Sequence, residues 1–126
     1  MPVVLWIAAG GAIGAAARHG VNVWAGHLLG YAFPWHTLIV NVAGCFIMGL
    51  LVEAMALRLN VGNEMRAFLT TGILGGFTTF SAFSLDFALL VERKAYVSAG
   101  AYAAGSVFLS LAAIFAGLAL GRALAA

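Results

Sequence analysis

Four apolar windows decide what this chain can fold into. They run from about Val3 to Trp24, Trp35 to Leu57, Ala67 to Val91 and Tyr96 to Gly121, with charges held at or near their ends. A helix needs about 20 mainly apolar residues to cross a hydrocarbon core about 30 Å thick, and each window meets that length. Composition agrees: 64% of the 126 residues are hydrophobic and 8% are charged, against roughly 25% charged in a soluble domain. The gaps are short and carry the turn and charge signals, "GHLLGYAFP", "RLNVGNEMR" and "ERKA", so no extramembrane domain fits between the spans. The expected fold is all-α and integral to a lipid bilayer, a single four-span membrane domain over residues 1–126.

"MPVVLWIAAGG" has no basic region ahead of its apolar run, so the first window reads as a retained span rather than a cleaved leader. The single Cys45 falls inside the second window and has no partner for an intramolecular disulfide. Six basic against four acidic residues is a small excess and does not suggest nucleic acid. Where those charges fall is more informative. With four spans, Arg58, Arg66 and Arg122 share one side, and Arg18, Arg93 and Lys94 share the other. Orientation follows an excess of Lys and Arg on one side, and here the count is even. Such a chain can insert both ways, which allows an antiparallel homodimer; the alternative is that a positional detail, such as the depth of Arg18, fixes one orientation.

Packing signals run through the spans. Gly10 and Gly14, Gly72 and Gly76, and Gly117 and Gly121 are spaced four apart, as small residues are where helix backbones approach closely in a membrane. Polar residues inside the spans are better guides to function, because an unsatisfied polar group in hydrocarbon costs several kcal/mol and turns to the bundle interior. Thr37 and Asn41 share one face of the second span. Tyr102, Ser106 and Ser110 put a line of hydroxyls down one face of the fourth. A single hydroxyl can satisfy itself on a carbonyl one turn back; three in register beside a mid-span asparagine favour a polar pathway or an interhelix network. Glu53 and Asp86 lie within a turn or two of span ends, where each can reach the interface or pair with a basic neighbour. No carboxylate sits where a proton-coupled cation exporter needs one. Hydroxyls and an amide without a central carboxylate describe a path that donates hydrogen bonds, as an anion requires. A membrane assembly factor, with the glycine pairs serving packing alone, is the bland alternative.

The stretch "GGFTTFSAFS" interrupts the third window. Gly75, Gly76, Thr78 and Thr79 weaken a helix at its middle, by loss of backbone order and by side-chain competition for backbone groups, so a helix break is expected there. Non-helical backbone at that depth must be buried in protein or line a cavity, and a cation such as Na⁺ is one partner for freed carbonyls. Phe80 and Phe83 follow, three apart. Ring edges are electropositive and can touch an anion that has shed its water, although phenylalanines at this spacing more commonly pack against lipid or another helix.

"GGAIGAAAR" in the first span, "HTLIVNVAG" entering the second and "GILGGFTTFSAFSLD" in the third resemble the Fluc (CrcB) family of fluoride channels. The four-span layout matches that family over essentially the whole chain, and the third motif is the specific one. The resemblance implies an antiparallel, dual-topology homodimer in the cell inner (plasma) membrane, with the third helix broken at mid-membrane. It further implies two fluoride pores, a buried structural Na⁺ at the dimer centre, and passive export of fluoride that protects the cytoplasm.

Carried onto this chain, the resemblance makes Phe80 and Phe83 the pore-lining rings and Asn41 the polar residue facing them. The backbone carbonyls of Gly75 and Thr78, one set from each subunit, would hold the Na⁺. Thr79, Ser81, Tyr102, Ser106 and Ser110, with Thr37, would form the polar side of the fluoride path, and Arg18 would draw anions into a vestibule. Where the family often reads "TTFSTFS", this chain has Ala82 between the rings, which removes one hydroxyl from the expected track.

Overall fold

The computed structural model describes residues 2–57 and 60–125. Arg58, one of the three basic residues counted on one side of the bilayer, lies outside the described residues. Helix α1 covers Val3–Leu29, α2 Trp35–Leu57, α3 Asn63–Ala67, α4 Gly75–Phe77, α5 Phe80–Glu92 and α6 Tyr96–Ala125, with a π-helical stretch at Phe68–Leu74 joining α3 to α4. Among the described residues, four segments are long and apolar enough to cross a membrane: Val3–Leu29, Trp35–Leu57, Asn63–Glu92 and Tyr96–Leu124. Each expected window falls within one of these segments, and the first, third and last segments extend several residues further. At α1 the end is set locally: the helix runs past Gly26 and stops where Gly30 adopts φ 76° and its N–H closes back on the Gly26 carbonyl at 2.9 Å. The α5–α6 turn does the same with a non-glycine residue. Lys94 has φ 60°, and the Ala95 N–H donates to the Leu90 carbonyl at 2.9 Å.

The helices pack in two close pairs. Helix α1 lies against the π-helical stretch and α4, and α6 lies along α2. The three glycine pairs occupy these contacts. A Cβ on Gly10 would stand 2.5 Å from the Phe68 carbonyl oxygen, and one on Gly72 3.0 Å from the Gly10 Cα. On the other pair, a Cβ on Gly117 would meet the Phe46 carbonyl oxygen, and one on Gly121 would lie 2.9 Å from the Glu53 Cβ. Glycine is needed here because backbone meets backbone.

At the α1–α2 end, Leu90, Ala99 and Tyr102 form a buried cluster against which Phe33, Leu38, Phe83 and Ala95 pack. Arg93 Nη2 donates to the Ala32 carbonyl at 3.2 Å and joins the two turns at that end. At the far end Glu53 pairs with Arg122 at 3.5 Å, the basic neighbour the sequence allowed it. Much of the remaining surface is large and apolar, including Phe108, Leu111 and Phe115 on α6, as a lipid-facing or subunit-facing surface must be.

Candidate functional site: two clefts meeting at an interrupted helix

The interruption in the third segment falls at Thr78 and Thr79, both extended at φ −84°, ψ 156° and φ −153°, ψ 124°. Of the four residues expected to weaken the helix, the two threonines leave it and the two glycines do not. Gly75 is helical at φ −63°, ψ −37°, and Gly76 closes on α1, where a Cβ would stand 2.6 Å from the Gly11 carbonyl oxygen. Packing on α1 thus overrides the weak helix propensity of the glycine pair, and the threonines carry the departure. Thr78 donates its hydroxyl to the Leu74 carbonyl at 3.0 Å. Thr79 caps α5 by accepting from the Ala82 N–H at 3.1 Å, a favoured role for threonine.

Asn41 holds the extended backbone in place. Its Nδ2 donates to the Thr79 carbonyl at 3.0 Å, and the Thr79 N–H donates to its Oδ1 at 2.8 Å. One side-chain amide therefore satisfies both backbone groups of one residue from another helix. This bond diverts the Thr79 N–H from the carbonyl it would meet in an unbroken helix, that of Gly75, and so frees that oxygen.

Two clefts meet at Thr79. The first, about 540 Å³, gathers Asn41, Phe80, Phe83, Ser106 and Ser110, together with Gly75, Thr78 and Cys45. The second, about 480 Å³, is lined by Arg18, Asn22, Thr37, Thr79 and Ser81. The hydroxyls of Thr79 and Ser81 are 3.3 Å apart. Phe80 and Phe83 do lie together, with ring centroids 5.5 Å apart and planes tilted by 44°. Phe80 is 77% exposed on the single chain, while Phe83 stacks on Tyr102 at 5.1 Å.

Tyr102 stands apart from the other two hydroxyls of its stripe. It is fully buried, lines neither cleft, and donates its O–H to Asp86 Oδ2 at 3.1 Å. Thr37, also buried, donates to the same oxygen at 2.6 Å. Among the described residues Asp86 pairs with no basic side chain; it joins α2, α5 and α6 through two hydroxyls. Sequence reasoning missed this role because the carboxyl and its donors are 49 and 16 residues apart. Ser106 is 6% exposed, and its Oγ, at the wall of the first cleft, has no hydrogen-bond partner among the described residues. Asn22 Oδ1, buried and equally unpartnered, was not singled out from the sequence although it falls four residues after Arg18.

Among the described residues no group of three or more His, Cys, Asp or Glu side chains could hold a metal ion. Gly75 and Thr78, the two residues expected to offer backbone carbonyls to a cation, both line the first cleft.

Residues 5–118 match the family model described as CrcB-like protein, Camphor Resistance (CrcB). The chain is 56% identical over 120 residues to a protein of Rhizobium etli named fluoride-specific ion channel FluC, covering 95% of this chain and 96% of that one. A protein of the same name from Agrobacterium fabrum is 57% identical over 116 residues, 92% of this chain and 93% of the other. One from Rhodospirillum centenum is 55% identical over 122 residues, 97% of each. With the model and these relatives spanning nearly its whole length, the chain belongs to the CrcB-like family.

Proposed function

We propose that this protein is a fluoride-selective channel that lets fluoride leave the cytoplasm passively across the cell inner membrane. The observation that carries the reading is the first cleft, where two phenylalanine rings, the Asn41 amide and the Ser106 and Ser110 hydroxyls converge beside the interrupted helix. Fluoride is small and strongly hydrated, so a path for it must replace water with hydrogen-bond donors and ring edges, while a narrow bore rejects chloride. Arg18 in the second cleft supplies the positive charge that draws an anion inward, and Ser81 and Thr79 lead on toward the rings. No side chain is asked to make or break a covalent bond.

The working unit in this reading is an antiparallel homodimer, with the interruption of each third helix at mid-membrane. The rings of Phe80, exposed on one chain, then meet the second. A structural Na⁺ fits the donor set: the Gly75 carbonyl lacks its helical partner, and Gly75 and Thr78 from each subunit would hold the ion at the dimer centre. Bound there, it supplies fixed positive charge and joins two interrupted helices. Purified dimer transferred from Na⁺ to a bulky organic cation is expected to melt at lower temperature; an unchanged melt removes the ion from the reading.

Fluoride efflux from liposomes, followed with a fluoride electrode beside a chloride control, tests the channel itself. Wild-type protein is expected to release fluoride and retain chloride. Phe80→Ile and Asn41→Ala are expected to abolish release, the first with folding intact because the ring is exposed on the chain. A folded wild-type dimer that releases nothing refutes the proposal, and proton-driven efflux of a cationic dye would put an exporter in its place.

A further inference from the structure

The polar face of α2 has a third member. Thr37, Asn41 and Cys45 recur every fourth residue and so share one side of the helix. Thr37 is bonded to Asp86 and Asn41 to Thr79. The thiol of Cys45 forms no disulfide, and it lines the first cleft with Ser106 and Ser110 of α6. Ser106 is an independent sign of an occupant: a hydroxyl more than nine-tenths buried, without a hydrogen-bond partner, at the wall of an open cleft. A buried hydroxyl left this way in a native structure asks for a ligand, an ion or a water.

We propose that Cys45 and Ser106 form a contact point on the ion path, and that the thiol is therefore a site at which small, soft, thiol-seeking metal compounds stop conduction. The inference rests on the channel reading above. Cys45 is the chain's single cysteine and is partly exposed, so an adduct on the protein has one address. Neutral mercuric chloride is a suitable probe, because an anion path does not repel it. The sulfur–mercury bond forms as one mercury–chloride bond and the S–H bond break; chloride and the proton leave to water, and no oxidant or reductant is needed. The product places a bulky Hg–Cl group across a cleft whose other walls are Phe80, Phe83 and the two serines.

The test measures fluoride efflux from liposomes before and after mercuric chloride, for wild type, Cys45→Ser and Cys45→Ala, each normalised to its own untreated rate. Mass spectrometry of the same samples counts mercury per chain. The expected result is one mercury per wild-type chain, loss of efflux, recovery with excess dithiothreitol, and neither adduct nor loss in the two variants. Two outcomes overturn the proposal: a full adduct with efflux unchanged, which places the thiol off the path, and no adduct at all, which places it out of reach. If untreated wild type releases no fluoride, the channel reading itself fails and this inference falls with it; the untreated rate separates that failure from the other two.

Discussion

At the scale of single residues, interhelix hydrogen bonds among the described residues gather on two side chains, Asp86 and Asn41. Asp86 Oδ2 takes the hydroxyls of Thr37 and Tyr102, and Asn41 takes and returns the backbone bonds of Thr79. Removing the shared acceptor leaves two buried hydroxyls unpaired, at about 1–3 kcal/mol each. Asp86→Ala is therefore expected to lower the thermal midpoint in detergent markedly, and Asp86→Asn, which keeps one acceptor oxygen, to lower it less; equal melts for all three proteins would show that the bonds contribute nothing. These pairings also mark how far the sequence could be read. The residues of the first cleft were legible because Asn41, Phe80, Phe83, Ser106 and Ser110 are polar or aromatic at helical spacing in otherwise apolar segments. The destination of each hydroxyl was not, since Tyr102 and Ser106 occupy equivalent places in one stripe and only the fold sends the first to Asp86 and leaves the second without a partner.

At the scale of elements, close backbone contact governs the pairing of α1 with the π-helical stretch and α4, and of α6 with α2. A Cβ on Gly14 would run into the Ile73 carbonyl oxygen, whereas one on Gly20 meets nothing within 4 Å. Gly14→Ala is expected to force α1 off its neighbour and cost about 1–3 kcal/mol, as overpacking does, with lower yield of folded protein on size-exclusion chromatography. Gly20→Ala should match wild type, and identical yields for both would sink the packing argument. The sequence made the glycine pairs visible and gave Gly76 two tasks, packing with Gly72 and weakening the helix beside Gly75, of which the structure shows the first. A glycine can relax a helix or admit a neighbour, and spacing does not say which until the neighbour is known; for Gly76 the neighbour is the Gly11 carbonyl. The four spans were legible for the opposite reason, because bilayer thickness acts on any chain in the same way.

At the scale of the whole molecule, the even division of basic residues supports insertion in both orientations. Lys94 offers a light test, because it sits at φ 60° in the α5–α6 turn, where asparagine is well tolerated. Lys94→Asn removes one charge with little strain and is expected to enrich chains whose termini face the cytoplasm. C-terminal reporters active on opposite sides of the membrane would read the shift, and a wild type found in one orientation alone would end the dual-topology reading.

The bonds also divide the molecule along its length. At the α1–α2 end, Arg93 ties one turn to the other through the Ala32 carbonyl, Asp86 joins three helices, and Phe33, Phe83 and Tyr102 interlock. At the other end of α2 and α6, the pair of Glu53 with a largely exposed Arg122 is a far looser tie. Side-chain bonds thus clamp one end like the base of a tuning fork, while toward the other end the prongs are held by glycine packing, Gly117 and Gly121 of α6 against Phe46 and Glu53 of α2. In the antiparallel pair proposed above, the hydrogen-bonded end of one chain would lie beside the glycine-packed end of its neighbour, so each face of the membrane would meet one end of each kind. Amide hydrogen exchange should rise from the clamped end of α6 toward its C-terminus, and a flat profile would show the clamp to be mechanically idle.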